Sequence, residues 1–380
     1  MIKRERLMAT LRGEAVDRPA VSFYEIGGWK LDPDDPDPYN VYNDPSWRPL
    51  IALAEQETDL IRMVKPVQRT RSCRGSGAFF SAETYEEGDA RFTRTRVTAG
   101  TTTLTSLDRR DRDVATVWNL EHLLKTEEDM AAYLQLPDEA FAEEIDLRPL
   151  LAAEDEVGER GIVMVDFRDP LYRVASLFSM ADYTVFAMTR PDLFHPLLEQ
   201  ASRQAWAEAE QVARAFPGRL WRIVGSEYAS EPFLPPALYA DYWARYTAPI
   251  IASVLRYGGF PRVHSHGRLR NILPLICGAG AVGLDPVEPP PQGDMELSDV
   301  RHDFGRELVL FGNIEAADIE NLLPAAFERK VEQALREGTQ GAGRGFVLMP
   351  SACPYGRMIS ADTLQNYETM VRLAQGWTSS

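Results

Sequence analysis

The chain has 380 residues, 44% of them hydrophobic, with a formal net charge of −16 and a pI of about 4.9. A chain this acidic repels phosphate backbones and anionic lipid headgroups, so we expect neither nucleic acid nor a membrane surface as a partner. We expect a cytoplasmic protein with reduced thiols, because no apolar segment resembles a membrane span or signal peptide and the three cysteines show no disulfide or C-x-x-C spacing.

Short apolar runs that end in polar residues alternate with stretches of helical periodicity. Runs rich in Val, Ile, Leu and Phe are typical of strands buried on both faces of a parallel sheet. The predicted strands are 20–25, 59–65, 161–166, 220–227, 262–266, 281–288, 308–313 and 346–351. The predicted helices are 191–216, 235–257, 268–277, 322–337 and 361–375. Strands that are each followed by a crossover predict an α/β protein with a parallel (β/α)8 TIM barrel.

Residues 68–158 interrupt this alternation. They contain a predicted hairpin with strands 90–97 and 101–107 that turns at Ala99-Gly100, followed by an acidic helical region. We interpret 68–158 as an insertion between the second and third barrel strands. The chain 1–380 is then expected to form a single barrel domain.

The most informative motif is His264-Ser265-His266, which ends the fifth predicted strand. Residues two apart in a strand point to the same side, so both imidazoles would be available as the first two ligands of a transition metal. The alternative is a hydrogen-bonded histidine pair in a polar pocket. Cys353 follows the last strand at the same mouth and could be the third ligand, or an inert buried thiol. Two imidazoles and one thiolate favour zinc, with a fourth position open to substrate.

Other polar side chains also lie at the C-terminal strand ends, where barrels of this class carry their chemistry. Glu227 could complete a zinc site or act as a general base, and Glu288 could hydrogen-bond a ligand histidine. These two are the candidate catalytic residues. Arg168 and Arg357 lie near predicted mouth loops and could hold an anionic substrate group. Asn313, at the end of the seventh strand, is the third candidate substrate contact. A surface arginine or a helix-capping asparagine is the ordinary alternative.

Several segments, in order along nearly the whole chain outside 68–158, resemble the uroporphyrinogen decarboxylase superfamily. They are 4–20, 263–267, 285–290, 310–314 and the segment around Cys353. The resemblance implies a (β/α)8 barrel. True uroporphyrinogen decarboxylases carry an arginine-bearing loop after the first strand and an Asp after the next. This chain has Tyr24-Glu-Ile-Gly-Gly-Trp29 and Lys65-Pro-Val-Gln68 there, so we do not expect porphyrinogen decarboxylation.

The other branch of the superfamily comprises zinc methyltransferases of corrinoid-dependent methyl transfer, whose ligands are His-x-Cys on one strand and a Cys after the last. The resemblance implies His264, His266 and Cys353 as zinc ligands, with His266 in place of the first Cys. It implies transfer of a methyl group between a corrinoid on a partner protein, or a small methylated donor, and a thiol-type acceptor. Metal-independent decarboxylation of a pyrrolic or aromatic acid and non-catalytic binding of a tetrapyrrole or corrinoid are the alternatives. A homodimer is one candidate assembly.

Overall fold

The computed structural model describes residues 1–70, 79–141 and 143–378. The strands in these ranges are β1 (Ala20–Val21), β2 (Leu60–Val64), β3 (Val67–Thr70), β4 (Phe80–Glu87), β5 (Ala90–Ala99), β6 (Thr102–Asp111), β7 (Val117–Glu121), β8 (Glu143–Asp146), β9 (Gly161–Arg168), β10 (Leu220–Val224), β11 (Phe260–His264), β12 (Gly283–Asp285), β13 (Val309–Ile314) and β14 (Phe346–Pro350).

The α-helices of the described ranges surround and connect these strands. Those of six residues or more are α1 (Lys3–Arg12), α2 (Trp47–Glu57), α3 (Glu127–Tyr133), α4 (Arg148–Val157), α5 (Pro170–Ala175), α6 (Met180–Thr189), α7 (Pro191–Ala215), α8 (Arg245–Arg256), α9 (Leu273–Gly278), α10 (Leu297–Phe304), α11 (Ala316–Asn321), α12 (Pro324–Thr339) and α13 (Ala361–Gly376). A short kinked helical turn, Glu25–Gly28, follows β1. None of the helices in these ranges is long and apolar enough to cross a membrane.

Within the described residues, one eight-stranded parallel sheet runs in the order β1-β14-β13-β12-β11-β10-β9-β2. The sheet closes where Asp59, just before β2, meets Val21 of β1. The Asp59 amide donates to the Val21 carbonyl at 2.7 Å, and the Val21 amide donates to the Asp59 carboxylate at 3.0 Å. The predicted (β/α)8 TIM barrel is therefore confirmed, and each strand predicted from the sequence overlaps one of these strands.

Alternate residues of the barrel strands point to the interior, as the pleat requires. Apolar side chains from neighbouring strands form a packed cluster inside the barrel, whose members include Ile61, Met63, Ile162, Met164, Leu220, Val309, Phe311, Val347 and Met349. The opposite faces of the strands pack against the surrounding helices in a second, larger core. Because the interior is filled by apolar side chains, polar inward-facing residues collect at the C-terminal mouth.

Two predicted helices differ from the observed ones. The segment predicted as 235–257 begins with a 3-10 turn, Pro236–Leu238, and a π-helical turn, Ala240–Ala244, before α8. The segment predicted as 268–277 is helical only in α9. The amides of Leu269 and Arg270 donate to the side chain of Asp294, at 2.8 and 3.2 Å, so they are engaged before the helix starts.

The region between β2 and β9 contains two antiparallel units. β3 pairs with β8, and β4, β5, β6 and β7 form a separate sheet within the described residues. The predicted hairpin corresponds to β5 and β6. Their pairing continues to Ala99 and Thr102, next to the turn at Gly100, which has a φ of 61°. Residues 71–78, which include Cys73, and residue 142 lie outside the described ranges. Helix α4 contacts β2 and β9, as a barrel crossover helix does.

Candidate functional site

His264 and His266 lie side by side at the C-terminal end of β11, with ring centroids 4.6 Å apart and planes at 86°. His264 Nδ1 donates to Asp285 Oδ2 at 2.8 Å, and His266 Nδ1 donates to Glu288 Oε1 at 2.7 Å. Both carboxylates come from β12 and the loop after it, and the register of β11 with β12 sets His264 beside Asp285. Because Nδ1 is engaged in each ring, Nε2 is the nitrogen left for a ligand.

The two imidazoles differ in burial and in charge. His264 has a side chain only 4% exposed, and burial, together with the nearby Arg222 charge, lowers its pKa to about 3. His264 is therefore neutral at physiological pH, the form in which imidazole binds metals. His266 has a side chain 40% exposed. Burial opposes its charged form, but the hydrogen bond and charge of Glu288 outweigh that effect, so the pKa of His266 is raised.

Asp285 is anchored from its other side by Arg262, and both side chains are almost completely buried. Arg262 Nε lies 2.8 Å from Asp285 Oδ1, in an ion pair whose N–H is not aligned for a hydrogen bond. Burial favours the protonated carboxyl, but Arg262 and His264 outweigh it and lower the pKa of Asp285 to about 2. Asp285 is thus an anion that holds the His264 ring in one orientation.

Glu227 follows β10, in the 3-10 turn Ser226–Ala229. Its Oε2 is buried and has no hydrogen-bond partner among the described residues. Burial raises the pKa of Glu227, while the charge of His266 acts in the opposite direction. A buried carboxylate oxygen without a partner is costly to keep and is available to a ligand or a proton.

Cys353 lies on the other side of the mouth, after β14, and is buried. Its Sγ donates to Glu25 Oε2 at 2.8 Å. Burial and the Glu25 charge raise the pKa of the Cys353 thiol well above its usual value. Glu25 is not among the site residues predicted above, although it ends the predicted strand 20–25, which is the signal that could have identified it. Tyr24, beside it, stacks on the His264 ring at 5.9 Å.

The structure brings His264 and His266 together and leaves Cys353 with Glu25. Among the described residues, no three His, Cys, Asp or Glu side chains form a group that could hold a metal ion. In donor chemistry the two imidazoles fit zinc, since each has a carboxylate behind it and Nε2 in front. Of the other predicted donors, Glu227 has an Oε2 without a hydrogen-bond partner among the described residues, and Cys353 is bound to Glu25.

The three candidate substrate residues lie in different surroundings. Arg168 ends β9, and its guanidinium lies over the Tyr172 ring at 4.9 Å. Asn313 lines a cavity of about 190 Å³ beside the 289–290 loop. Arg357 is engaged elsewhere, since its Nε donates to the Arg112 carbonyl at 2.8 Å and its Nη1 donates to Asn43 Oδ1 at 2.9 Å. Arg357 therefore holds the segment after β6 against the barrel.

No family model and no curated protein matches the chain. Among solved structures it is similar to a methyltransferase from Methanosarcina mazei, with 17% identity over 99% of this chain and 98% of that chain and a TM-score of 0.59. A D-psicose 3-epimerase aligns with 60% of this chain and 91% of its own at 9% identity and a TM-score of 0.32. A Bacteroides ovatus xyloglucanase aligns with 83% of this chain and 98% of its own, at 9% identity and a TM-score of 0.31. The first similarity shows that the two chains share one fold from end to end.

Proposed function

We propose that this chain is a zinc-dependent methyltransferase that holds its metal through Nε2 of His264 and His266. The observation that carries the proposal is the pairing of each Nδ1 with its own carboxylate, Asp285 or Glu288. Such pairing sets the tautomer and orientation of histidines that bind zinc. The full-length similarity in fold to a methyltransferase from Methanosarcina mazei supports the reaction class.

In this proposal Cys353 and Glu227 would act at the same metal site. Cys353 would complete the site after passing its thiol proton to Glu25, its present hydrogen-bond partner. Glu227, with its raised pKa, would accept the proton of an incoming thiol. Zinc, when bound, would hold the acceptor thiol as a thiolate at neutral pH. The thiolate would take the methyl group from a methylated corrinoid on a partner protein or from a small methylated donor. The bond between the methyl group and its donor would break with its electron pair left on the donor.

Metal content tests the proposal directly. We expect protein purified without chelators to contain about one zinc per chain by elemental analysis, and His264→Ala and His266→Ala to lose it. His302→Ala is the matched control, because the His302 side chain is 87% exposed and its Nδ1 contacts Asp303, the next residue in the chain. Zinc that stays in both motif variants, or that leaves all three equally, would contradict the assignment of these ligands.

Activity separates the proposed reaction from its alternatives. We expect the wild type to transfer a methyl group from methylcobalamin to a small thiol. His264→Ala should abolish this activity. A chelator should abolish it in the wild type, where added zinc should restore it. Decarboxylation of a pyrrolic or aromatic acid that survives the chelator would support a metal-independent lyase. Tight corrinoid binding by zinc-free protein without any turnover would support a binding protein. Either result would overturn the proposed reaction.

A further inference from the structure

The mouth has a second polar region, on the neighbouring strands β2 and β9. The register of these strands sets Met63 beside Met164, and both side chains belong to the cluster inside the barrel. Because side chains alternate along a strand, the next inward positions are residue 65 after β2 and residues 166 and 168 on β9. Lys65, Asp166 and Arg168 therefore come to the same part of the C-terminal mouth.

A cavity of about 220 Å³ opens between these side chains. Its lining residues are Lys65, Pro66, Asp166, Arg168, Arg173 and Glu208. β10 lies between these strands and β11, which carries the two histidines. A small molecule in this cavity would thus approach the imidazole pair across the end of a single strand.

Both carboxylates of the cavity already have a cationic partner. Asp166 Oδ1 accepts a hydrogen bond from Arg222 Nη1 at 2.6 Å, and Glu208 pairs with Arg173 at 2.5 Å. Lys65, in contrast, makes no hydrogen bond or ion pair with any residue in the described ranges. Its ammonium lies over the ring of Trp29 at 4.9 Å.

Arg168 has the same kind of environment as Lys65. Its guanidinium makes no hydrogen bond or ion pair within the part of the chain that the structure describes, and it lies over the Tyr172 ring. A solvated lysine or arginine is common at a surface, but these two cations share one cavity and each is held on an aromatic ring. Among the described residues that line this cavity, together with Arg222 as the partner of Asp166, four cations face two carboxylates, in a chain whose net charge is −16.

We propose that Lys65 and Arg168 form an anion subsite that binds the carboxylate or phosphate group of a small molecule. The local positive charge attracts such a group, and the two cations can each give it a charge-assisted hydrogen bond. If the bound molecule is the substrate that reacts at the imidazole pair, that role rests on the proposed function. Anion binding itself does not depend on zinc or on methyl transfer.

Isothermal titration calorimetry of the full chain tests the subsite, with inorganic phosphate and succinate as separate probes at constant ionic strength. We expect wild type to bind at least one probe. Lys65→Met and Arg168→Met should each weaken that binding about tenfold or more, because each removes a charged hydrogen-bond donor. Lys65→Arg and Arg168→Lys should keep most of it. Binding of phosphate only would indicate a phosphorylated ligand, and binding of succinate only would indicate a carboxylic acid.

Two further variants make the test specific. Arg336→Met removes an exposed cation from the outer helix α12 and should leave binding unchanged, whereas a general charge effect would weaken it. His264→Ala should also bind the probe as wild type does, so failure of the zinc proposal would leave this result intact. No binding of either probe by wild type, or full binding by Lys65→Met/Arg168→Met with unchanged circular dichroism, would overturn the subsite.

Discussion

The two sides of the mouth that carry the proposed zinc ligands differ in how far their hydrogen bonds and protonation already suit metal binding. On the β11–β12 side, each imidazole is bound to a carboxylate, and Asp285 is itself anchored by Arg262. On the β14–β1 side, Cys353 has a single carboxylate partner, Glu25, that keeps the thiol protonated. His264 is therefore neutral and oriented to bind a ligand as folded, whereas the Cys353 thiol must lose a proton and a contact before it can bind a metal.

The largest expected effect comes from breaking the anchor of the imidazole side with Asp285→Asn. The substitution keeps the shape of the side chain but leaves Arg262, whose side chain is 1% exposed, as a buried cation without a carboxylate. Loss of one partner of a buried ion pair costs about 3–5 kcal/mol. We expect the free energy of unfolding, measured by urea denaturation, to fall by an amount in this range.

Glu288→Gln is the matched control for that measurement. Glu288 also holds an imidazole, but the His266 side chain is 40% exposed, and no buried arginine or lysine of the described ranges pairs with Glu288. We expect a loss of about 1–2 kcal/mol, the usual cost of a weakened partly buried hydrogen bond. Equal losses for the two variants would show that the Arg262–Asp285 pair does not distinguish this part of the site.

The second prediction concerns the thiol side and uses Glu25→Gln. Removal of the Glu25 charge removes one of the two main causes of the raised pKa of Cys353; burial, the larger cause, remains. At a fixed mildly alkaline pH, a pKa lower by one unit raises the thiolate fraction up to about tenfold. We expect iodoacetamide to alkylate Cys353 several times faster in metal-free Glu25→Gln than in wild type, as followed by peptide mass spectrometry.

Cys277 serves as an internal control for this reaction. Burial raises its pKa to about 12, and its environment includes Glu307 rather than Glu25, so its alkylation rate should be the same in both proteins. The pH at which the Cys353 rate levels off should also fall in the variant. An unchanged pH profile for Cys353 would mean that burial by itself, without Glu25, controls this thiol.

The barrel and the histidine side of the site follow from local sequence patterns. Apolar runs identify the strands, the period of two sets His264 and His266 on one face, and the parallel topology brings all strand ends to one mouth. The contact of Cys353 with Glu25 joins residues 328 positions apart, and no local pattern encodes it. The anchoring of His264 by Asp285 likewise depends on the register of β11 and β12, which only the folded sheet defines.

Contacts between the barrel and the region between β2 and β9 are also not predicted by local sequence patterns. Arg357 follows the last barrel strand, and this position predicts that it lies near the mouth. Its guanidinium donates to the Arg112 carbonyl. This depends on how the insertion docks on the barrel. The shortened helix α9 has a similar cause, because the side chain of Asp294 engages amides that a helical periodicity assigns to a helix. In both cases a tertiary contact outweighs a local pattern.

The smallest predicted effect lies between the two sides, at Glu315 just after β13. Burial, with repulsion from Glu288, raises the pKa of Glu315 from 4.5 to about 6. The folded state therefore holds this proton more tightly than the unfolded state, and the Glu315 contribution to stability falls as the pH rises from 4.5 to 6. Glu315→Gln lacks this titration, so its stability relative to wild type should increase over that interval.

The expected increase is less than about 2 kcal/mol, since the side chain is only partly buried and solvent screens part of the effect. Urea unfolding of both proteins at several pH values between 4 and 7 would measure the difference in their free energies of unfolding. Contributions of the other titrating groups are common to both proteins and cancel in this difference. Ser351 donates to Glu315 Oε2 at 3.2 Å, so Ser351→Ala should raise the pKa further and enlarge the effect. A difference that stays flat with pH would mean that folding does not shift the pKa of Glu315, and a difference that falls with pH would mean that folding lowers it. Either result would contradict the raised pKa.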